Sequence, residues 1–335
     1  MTDHFSEYGL HLNGAWYSSE DLLKYCHEIL NNGQSQDWEL NIAKFIMEWY
    51  DQSDFIEVKT SGSTGQPQIL SIKKEFAVNS ALSTLEFLGL KPGDSALLCL
   101  PANFIAGKMM IIRSIIGRLK LTSVEPKGNV YDDVSDTVDF AAMIPLQVQN
   151  LLESPGGSSK LKQIRKLIIG GAAIPPALEE NLRTQNHPVY STYGMTETIS
   201  HIAMRRIGGA GYSRYYQLLP NISIDKDKDD CLIVNAPFLS ENIVHTKDVV
   251  RISQNNEFEI QGSAVRPDRY AAHIRRRKRA IRTRQRPARR GGNVAANRRL
   301  LRSQRLPGQV LALSHLLRPG VLSRTMVSRS GLCER

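Results

Sequence analysis

The nine-residue run Thr60-Ser-Gly-Ser-Thr-Gly-Gln-Pro-Gln68 holds two glycines, four hydroxyl side chains and a proline. Glycines let the backbone approach a ligand closely, and successive N–H groups together with hydroxyls can donate to phosphate oxygens. The run lacks the Gly-Lys-Ser/Thr ending of a Walker loop, so it does not predict an ordinary P-loop nucleotidase. A flexible Ser/Gly linker is the alternative that composition alone favours.

The segments on either side of this run favour a ligand loop over a linker. Residues 55–58 alternate like a strand before the run, and residues 69–72 resume a strand after it. A glycine-rich turn held between two strands is more often a ligand loop than a tether. We therefore predict an anion-binding loop between two strands.

Helical and strand patterns alternate through the neighbouring sequence. Helices are predicted over residues 18–30, 38–49, 74–88, 106–119, 145–152 and 175–183. Apolar runs closed by Pro or Gly predict strands over residues 95–100, 121–124, 138–144 and 166–169. This alternation implies an α/β fold with mostly parallel sheets, whose ligands bind at the carboxyl ends of the strands. Residues 101–104, 170–173 and 191–194 fall at such ends.

Size and composition fit one large or two ordinary globular domains, at 335 residues with 41% hydrophobic and 23% charged side chains. Short β segments beyond Gly208 predict a small β subdomain over about residues 209–262. No apolar run of membrane-spanning length and no leader pattern are found, so we expect a cytoplasmic protein without a membrane partner. The pattern leaves a homo-oligomer open. The four scattered cysteines are expected to be reduced and mostly buried: Cys26, Cys99, Cys231 and Cys333.

The net charge of +10 comes from one segment. Residues 263–335 hold 19 Arg and one Lys against one Asp and one Glu, whereas residues 1–262 hold 23 basic and 31 acidic side chains. We therefore divide the chain into an N-terminal domain, residues 1–262, and an Arg-rich tail, residues 263–335.

Three interpretations of the tail compete. A genuine Arg-rich arm would bind nucleic acid by neutralising phosphates. A folded domain would need periodic apolar faces, and only residues 306–322 are apolar enough. A shifted reading frame would explain the sudden arginine excess and the loss of pattern, and we favour it. The tail is then disordered or out of frame, and nucleic acid is a partner only if the tail is genuine.

Three further motifs supply groups suited to a nucleotide. Gly170-Gly-Ala-Ala-Ile-Pro175 ends a strand with small residues, against which a planar base can lie. Ser191-Thr-Tyr-Gly-Met-Thr-Glu-Thr198 offers an aromatic face, hydroxyls and a carboxylate for purine, phosphate and Mg²⁺. Thr246-Lys-Asp248 follows a predicted strand and offers a carboxylate for a ribose diol.

Together with the glycine-rich loop, these motifs resemble the acyl-adenylate-forming (AMP-binding) enzymes, over residues 55 to about 262. Within that family the chain is most similar to the short o-succinylbenzoate–CoA ligases of menaquinone biosynthesis, because little sequence precedes the loop and because of the run Thr196-Glu-Thr-Ile-Ser-His-Ile-Ala203. The resemblance implies an acid–thiol ligase that converts a carboxylic acid and ATP to an acyl-adenylate and passes it to coenzyme A. A ligase for another aryl or fatty acid, and a non-enzymatic nucleic-acid-binding protein, remain alternatives.

The resemblance also implies roles for individual residues. Thr196 would contact the α-phosphate at the reacting carboxylate, and Glu197 would help to hold Mg²⁺. Asp248 would bind the ribose hydroxyls. The β- and γ-phosphates of ATP would be enclosed by Thr60, Ser61, Gly62, Ser63, Thr64 and Gly65. Adenine would be flanked by Ala172 and Tyr193, and Gly194 would also belong to the nucleotide site. The acid would meet Phe104, Ile105, Gly107 and His201.

Each of these side chains also has an ordinary structural alternative. Tyr193 could be a core aromatic and Glu197 a helix-start acid, but their joint order behind the glycine-rich loop favours the functional roles. For His201 and Phe104 both interpretations stay open.

The chain departs from the family pattern at two places. Gln68 stands where the family usually has Lys, which removes a cation from the phosphate site. The hinge and the C-terminal catalytic lysine of the family cannot be assigned, since the Arg266 and Asp268 pair sits three residues late and leads into the tail. We therefore expect impaired chemistry, with the thioester step most affected.

Overall fold

The computed structural model describes residues 8–59, 69–130, 132–133, 137–240 and 242–263. All of them lie in the first of the two units into which the chain divides, Met1–Thr283. The second unit, Arg284–Arg335, lies outside the described residues, as does the whole predicted tail from residue 264 onward. The boundary at residue 262 stays a prediction.

The described residues include seven α-helices and fifteen strands. The helices are α1 (Ser19–Asn31), α2 (Asp37–Trp49), α3 (Lys74–Leu88), α4 (Ile105–Gly117), α5 (Pro145–Glu153), α6 (Gly157–Gln163) and α7 (Pro176–Thr184). The strands are β1 (Leu10–Leu12), β2 (Ala15–Tyr17), β3 (Phe55–Lys59), β4 (Ile69–Lys73), β5 (Ser95–Leu98), β6 (Lys120–Ser123), β7 (Val138–Met143), β8 (Ile164–Ile169), β9 (Val189–Gly194), β10 (His201–Arg206), β11 (Gln217–Leu218), β12 (Ser223–Lys226), β13 (Cys231–Asn235), β14 (Val244–Ile252) and β15 (Phe258–Ser263).

The main sheet has nine strands in the order β11-β10-β9-β8-β7-β5-β6-β1-β2. Its six central strands pair in parallel, and antiparallel strands β2, β10 and β11 complete its two edges. The α/β fold with a mostly parallel sheet is therefore confirmed. The carboxyl ends of β5, β7, β8 and β9 share one edge, which is where ligands of such sheets bind.

Both faces of this sheet are covered. Along β5, Ala96 and Leu98 join a core that includes residues of α3 and α4, whereas Leu97 joins a second core with residues of α5 and α7. Side chains alternate between the faces of a strand, so one apolar run supplies both cores.

Several elements of the described chain were not predicted from the sequence: the β1–β2 hairpin, α6, β10 and β11 are among them. The β1–β2 hairpin turns at Asn13 and Gly14, whose φ values of 50° and 87° suit a type I′ turn. Its strands of three residues are too short for a period to be recognised. The antiparallel strand β10 follows the nucleotide motif directly, and the sequence analysis assigned it no strand.

The predicted β subdomain is present as a four-stranded antiparallel sheet in the order β12-β13-β14-β15. One detail of the prediction is wrong: Asp248 does not follow a strand but lies within β14, paired with Ser263. The register of β14 against β15 shifts beside Asp248, between Val249 and Val250. Because such an irregularity interrupts the regular pairing of a strand, the apolar pattern in the sequence marked only the second half of β14.

Two remaining expectations concern thiols and membranes. Cys26, Cys99 and Cys231 are buried and unpaired, as predicted, and burial raises the pKa of Cys26 and of Cys99 to about 12. Cys333 lies outside the described residues. Within the described part of the chain, no helix has the length and apolar character needed to cross a membrane.

Candidate nucleotide and acid site

The predicted phosphate loop is represented by its two flanking strands. β3 and β4 form a two-stranded antiparallel hairpin in which Phe55 pairs with Lys73 and Lys59 with Ile69. The six candidate phosphate contacts between them, Thr60, Ser61, Gly62, Ser63, Thr64 and Gly65, lie outside the described residues. The two predicted flanking strands are confirmed, whereas the loop itself and its role toward phosphate stay predictions.

Tyr193 and Asp248 come together although they belong to different sheets. The Tyr193 hydroxyl at the end of β9 donates a 2.7 Å hydrogen bond to Asp248 Oδ2 in β14. Burial, with Asp248 nearby, raises the pKa of this hydroxyl well above its usual range, so it stays a donor. The structure thus joins the predicted adenine and ribose contacts directly.

The Tyr193 ring belongs to a buried aromatic cluster. Its centroid lies 5.1 Å from that of Phe258 and 5.8 Å from that of Tyr216. The ring of Tyr193 is therefore part of the core, while its hydroxyl group reaches the half-buried Asp248. The two roles that the sequence left as alternatives can coexist in one residue.

Ala172 is exposed in the loop after β8. Glu197 is exposed within the 3₁₀ turn Thr196–Thr198, so its carboxylate is open to a ligand. The Thr198 hydroxyl holds that turn by accepting from the Met195 N–H at 3.1 Å and donating to the Ser200 carbonyl at 2.9 Å.

Two backbone features define the turn that follows β9. Ile199 adopts φ 67°, a left-handed conformation that is rare for a β-branched residue and is typical of functional turns. Gly194 has no room for a side chain, since a Cβ there would lie 2.3 Å from the Ser200 carbonyl oxygen. The chain reverses tightly here because β10 must pair back along β9.

His201 lies in a buried polar cluster that also contains a guanidinium group. Its Nε2 is 3.0 Å from Thr84 Oγ1, and its Nδ1 is 3.3 Å from Ser200 Oγ. Arg113 of α4 donates to the same Ser200 hydroxyl at 2.9 Å. Burial and the nearby guanidinium hold the pKa of His201 well below its usual value, so the imidazole is neutral at pH 7.

Arg113 is the functional candidate that the sequence analysis missed. It is 2% exposed, and among the described residues no carboxylate forms an ion pair with it. Its Nε has no hydrogen-bond partner, and burial lowers its pKa to about 9. A buried cation in this state is costly, and a carboxylate ligand would relieve that cost.

The remaining candidates for the acid site lie at the N-terminal end of α4. Phe104 is the N-cap and is 42% exposed, Ile105 is half-buried and Gly107 is buried. A Cβ on Gly107 would lie 2.3 Å from the Pro101 carbonyl oxygen, so this glycine serves close packing of the helix on the preceding loop. Phe104 also faces an open cavity of about 440 Å³ that includes Trp38. The exposed Phe104 therefore caps the same helix that carries the buried Arg113.

Comparison with known proteins identifies the family of the chain. The model of the AMP-binding enzyme family matches residues 59–226. The 2-succinylbenzoate–CoA ligase of Oceanobacillus iheyensis is 29% identical over 193 residues, which is 54% of this chain and 40% of that protein. The Bacillus cereus ligase of the same name is 27% identical over 241 residues, 68% of this chain and 47% of that protein. The chain thus spans less than half the length of these two relatives.

Solved structures give the same result for the fold. An acyl-CoA synthetase (AMP-forming)/AMP-acid ligase II-like protein from Dyadobacter fermentans is 32% identical, with a TM-score of 0.65 over 72% of this chain and 68% of that one. The o-succinylbenzoate coenzyme A synthetase of Bacillus subtilis in complex with ATP and magnesium has a TM-score of 0.51 at 21% identity, over 62% of this chain and 49% of that one. The motifs, the sheet order and these matches agree, and the chain belongs to the AMP-binding enzyme family of acyl-adenylate-forming proteins.

Proposed function

We propose that this chain belongs to an acid–CoA ligase that activates o-succinylbenzoate for menaquinone biosynthesis. ATP and the acid would give an acyl-adenylate and pyrophosphate, and coenzyme A would then take the acyl group as a thioester. The family match and the names of the curated relatives support the reaction class. The choice of acid rests on one structural observation.

That observation is the buried Arg113 beside His201. o-Succinylbenzoate carries two carboxylates, of which one reacts with ATP while the other must be desolvated and held. A guanidinium group that has no carboxylate partner within the described chain, in a cluster that also holds the neutral His201, offers such a partner. A fatty acid has no second carboxylate and would leave this buried charge uncompensated.

The nucleotide half of the site follows from the two sheets. Asp248 would accept from the ribose hydroxyls, and Tyr193 would present its hydroxyl edge beside the base. The exposed Glu197 fits Mg²⁺, which keeps several waters and binds one or two carboxylates together with phosphate oxygens. When bound, Mg²⁺ would neutralise charge on the phosphates.

The impairment expected from the tail is also part of the proposal. The hinge and the catalytic lysine of the family are unassigned in this sequence, so we expect slow adenylation and slower thioester formation. The nucleic-acid alternative concerns residues outside the described part of the chain and stays a prediction.

Acid-dependent ATP–pyrophosphate exchange on the full chain tests the choice of acid. We expect o-succinylbenzoate to stimulate exchange, and a matched acid in which the ring carboxylate is replaced by hydrogen to stimulate it at least about 100-fold less, as for other lost charge pairs. Equal stimulation by the two acids would rule out a role for the second carboxylate. Exchange at the rate of an intact family member would contradict the impairment.

A further inference from the structure

A buried ion pair ties the hairpin of the predicted phosphate loop to the helices beneath it. Lys108 of α4 places its Nζ 2.6 Å from Glu48 Oε2, and Glu48 lies at the end of α2. The side chains are 8% and 24% exposed. Lys108 Nζ also lies 4.6 Å from the ring centroid of Phe45, which covers the pair from the core side.

Both members of the pair bond to the backbone of one residue in β3. Lys108 Nζ donates to the Glu57 carbonyl at 2.6 Å, and the Glu57 N–H donates to Glu48 Oε1 at 2.5 Å. In an antiparallel pair, the two backbone groups of a residue point together toward the partner strand or together away from it. β4 is the only strand paired with β3 in the described chain, so the ion pair occupies the outer edge of β3.

Stability alone is a weak explanation for this arrangement. A buried ion pair can often be replaced by apolar side chains of similar volume with little or no loss of stability. An apolar pair, however, could not satisfy the N–H and C=O groups of Glu57, which lies three positions before the predicted phosphate loop. Hydrogen-bonding atoms at these two positions are therefore needed to satisfy the outer edge of β3.

We propose that Glu48 and Lys108 are positioning residues for ATP. They hold β3 in place, and because Lys108 directly follows Gly107 on α4, they also link the hairpin to the start of the predicted acid site. This inference rests on the proposed function for its ligand. Without the pair, part of the binding free energy of MgATP must be used to hold the hairpin, so the apparent dissociation constant rises in inverse proportion to the competent fraction that remains.

The test compares Glu48→Gln with Asp51→Asn in the full chain. An amide has one acceptor oxygen where the carboxylate meets two donors, so Glu48→Gln loses one of the two contacts. Asp51 makes a comparable 2.7 Å ion pair with Lys74 beside the same hairpin, but its carboxylate makes no described contact with β3. We measure the dissociation constant of MgATP by calorimetry and the amide hydrogen exchange of residues 55–59.

We expect Glu48→Gln to raise the dissociation constant of MgATP about tenfold and to speed exchange at Glu57, while Asp51→Asn changes the constant less than about twofold. If Glu48→Gln does not fold, Lys108→Met tests the same point, since it removes the contact to the Glu57 carbonyl. Faster exchange at Glu57 with unchanged MgATP affinity would overturn the proposal and leave the pair a structural anchor. Wild-type chain that binds MgATP but shows no acid-dependent exchange would refute the proposed function alone.

Discussion

Replacing Arg113 by Met should stabilise the free protein and remove recognition of the acid. The guanidinium is 2% exposed, and burial lowers its pKa from 12.5 to about 9. A shift of this size corresponds to about 5 kcal/mol of destabilisation at pH 7, because the folded state disfavours the charged form at every pH below the lowered pKa. Loss of the hydrogen bond to Ser200 costs about 1 kcal/mol in return.

Partial relaxation around a buried charge reduces this cost. We therefore expect Arg113→Met to raise the free energy of unfolding by at least about 2 kcal/mol, which is equivalent to a rise of about 4 °C or more in melting temperature. Scanning calorimetry measures this, with Arg165→Met as the control. Arg165 pairs with Asp139 at the surface with 68% of its side chain exposed, so its replacement should change stability by less than about 0.5 kcal/mol.

The same Arg113→Met variant is then assayed for acid-dependent ATP–pyrophosphate exchange. We expect the KM for o-succinylbenzoate to rise at least about 100-fold, since an ion pair in a desolvated site is lost, while the KM for MgATP stays within about twofold. A variant that melts below the wild type, or one that keeps its affinity for the acid, would show that Arg113 serves the fold and not the ligand.

Three other variants follow from the contacts. Glu179→Gln should destabilise the protein by about 3–5 kcal/mol in urea melts, because it leaves Arg205 buried opposite a neutral amide in place of its 2.9 Å ion pair. The stability of the wild-type protein should fall as the pH drops below about 6.5, because His201 binds a proton in the unfolded state that the folded state excludes. In melts at several pH values, the slope of stability against pH should be smaller for His201→Gln by up to about 1.4 kcal/mol per pH unit. Gly194→Ala should cost about 1–3 kcal/mol in urea melts and weaken MgATP binding, because its methyl group would meet the backbone oxygen of Ser200 at 2.3 Å.

Much of the fold could be predicted because its elements carry long periodic patterns. The predicted helix over residues 74–88 matches α3 at both ends. Its C-cap is Gly89, which adopts the left-handed conformation typical of this position. Strands β7 and β8 were found from short apolar runs. β1 depends instead on pairing with the distant strand β6, and β10 depends on the tight reversal after β9, and a local period reports neither.

The candidate site was predictable in its motifs but not in its buried charges. Tyr193 and Asp248 were assigned separately, and only the folded chain shows that a hydrogen bond joins them. Arg113 and Lys108 were overlooked because single cations in a helix usually face solvent. A signal was present, however: α4 is otherwise apolar on every side, and a helix of that kind is buried, so its cations must be buried too.

The contact between Tyr216 and Phe258 determines where this protein could be shortened. Their rings stack at 5.3 Å, and their backbones exchange two hydrogen bonds of 2.7 and 3.1 Å. These contacts join the four-stranded sheet to the nine-stranded sheet next to Tyr193. A recombinant fragment that stops before residue 258 would lose these contacts and expose the Tyr193 ring, whereas one that stops at Ser263 would keep both sheets whole.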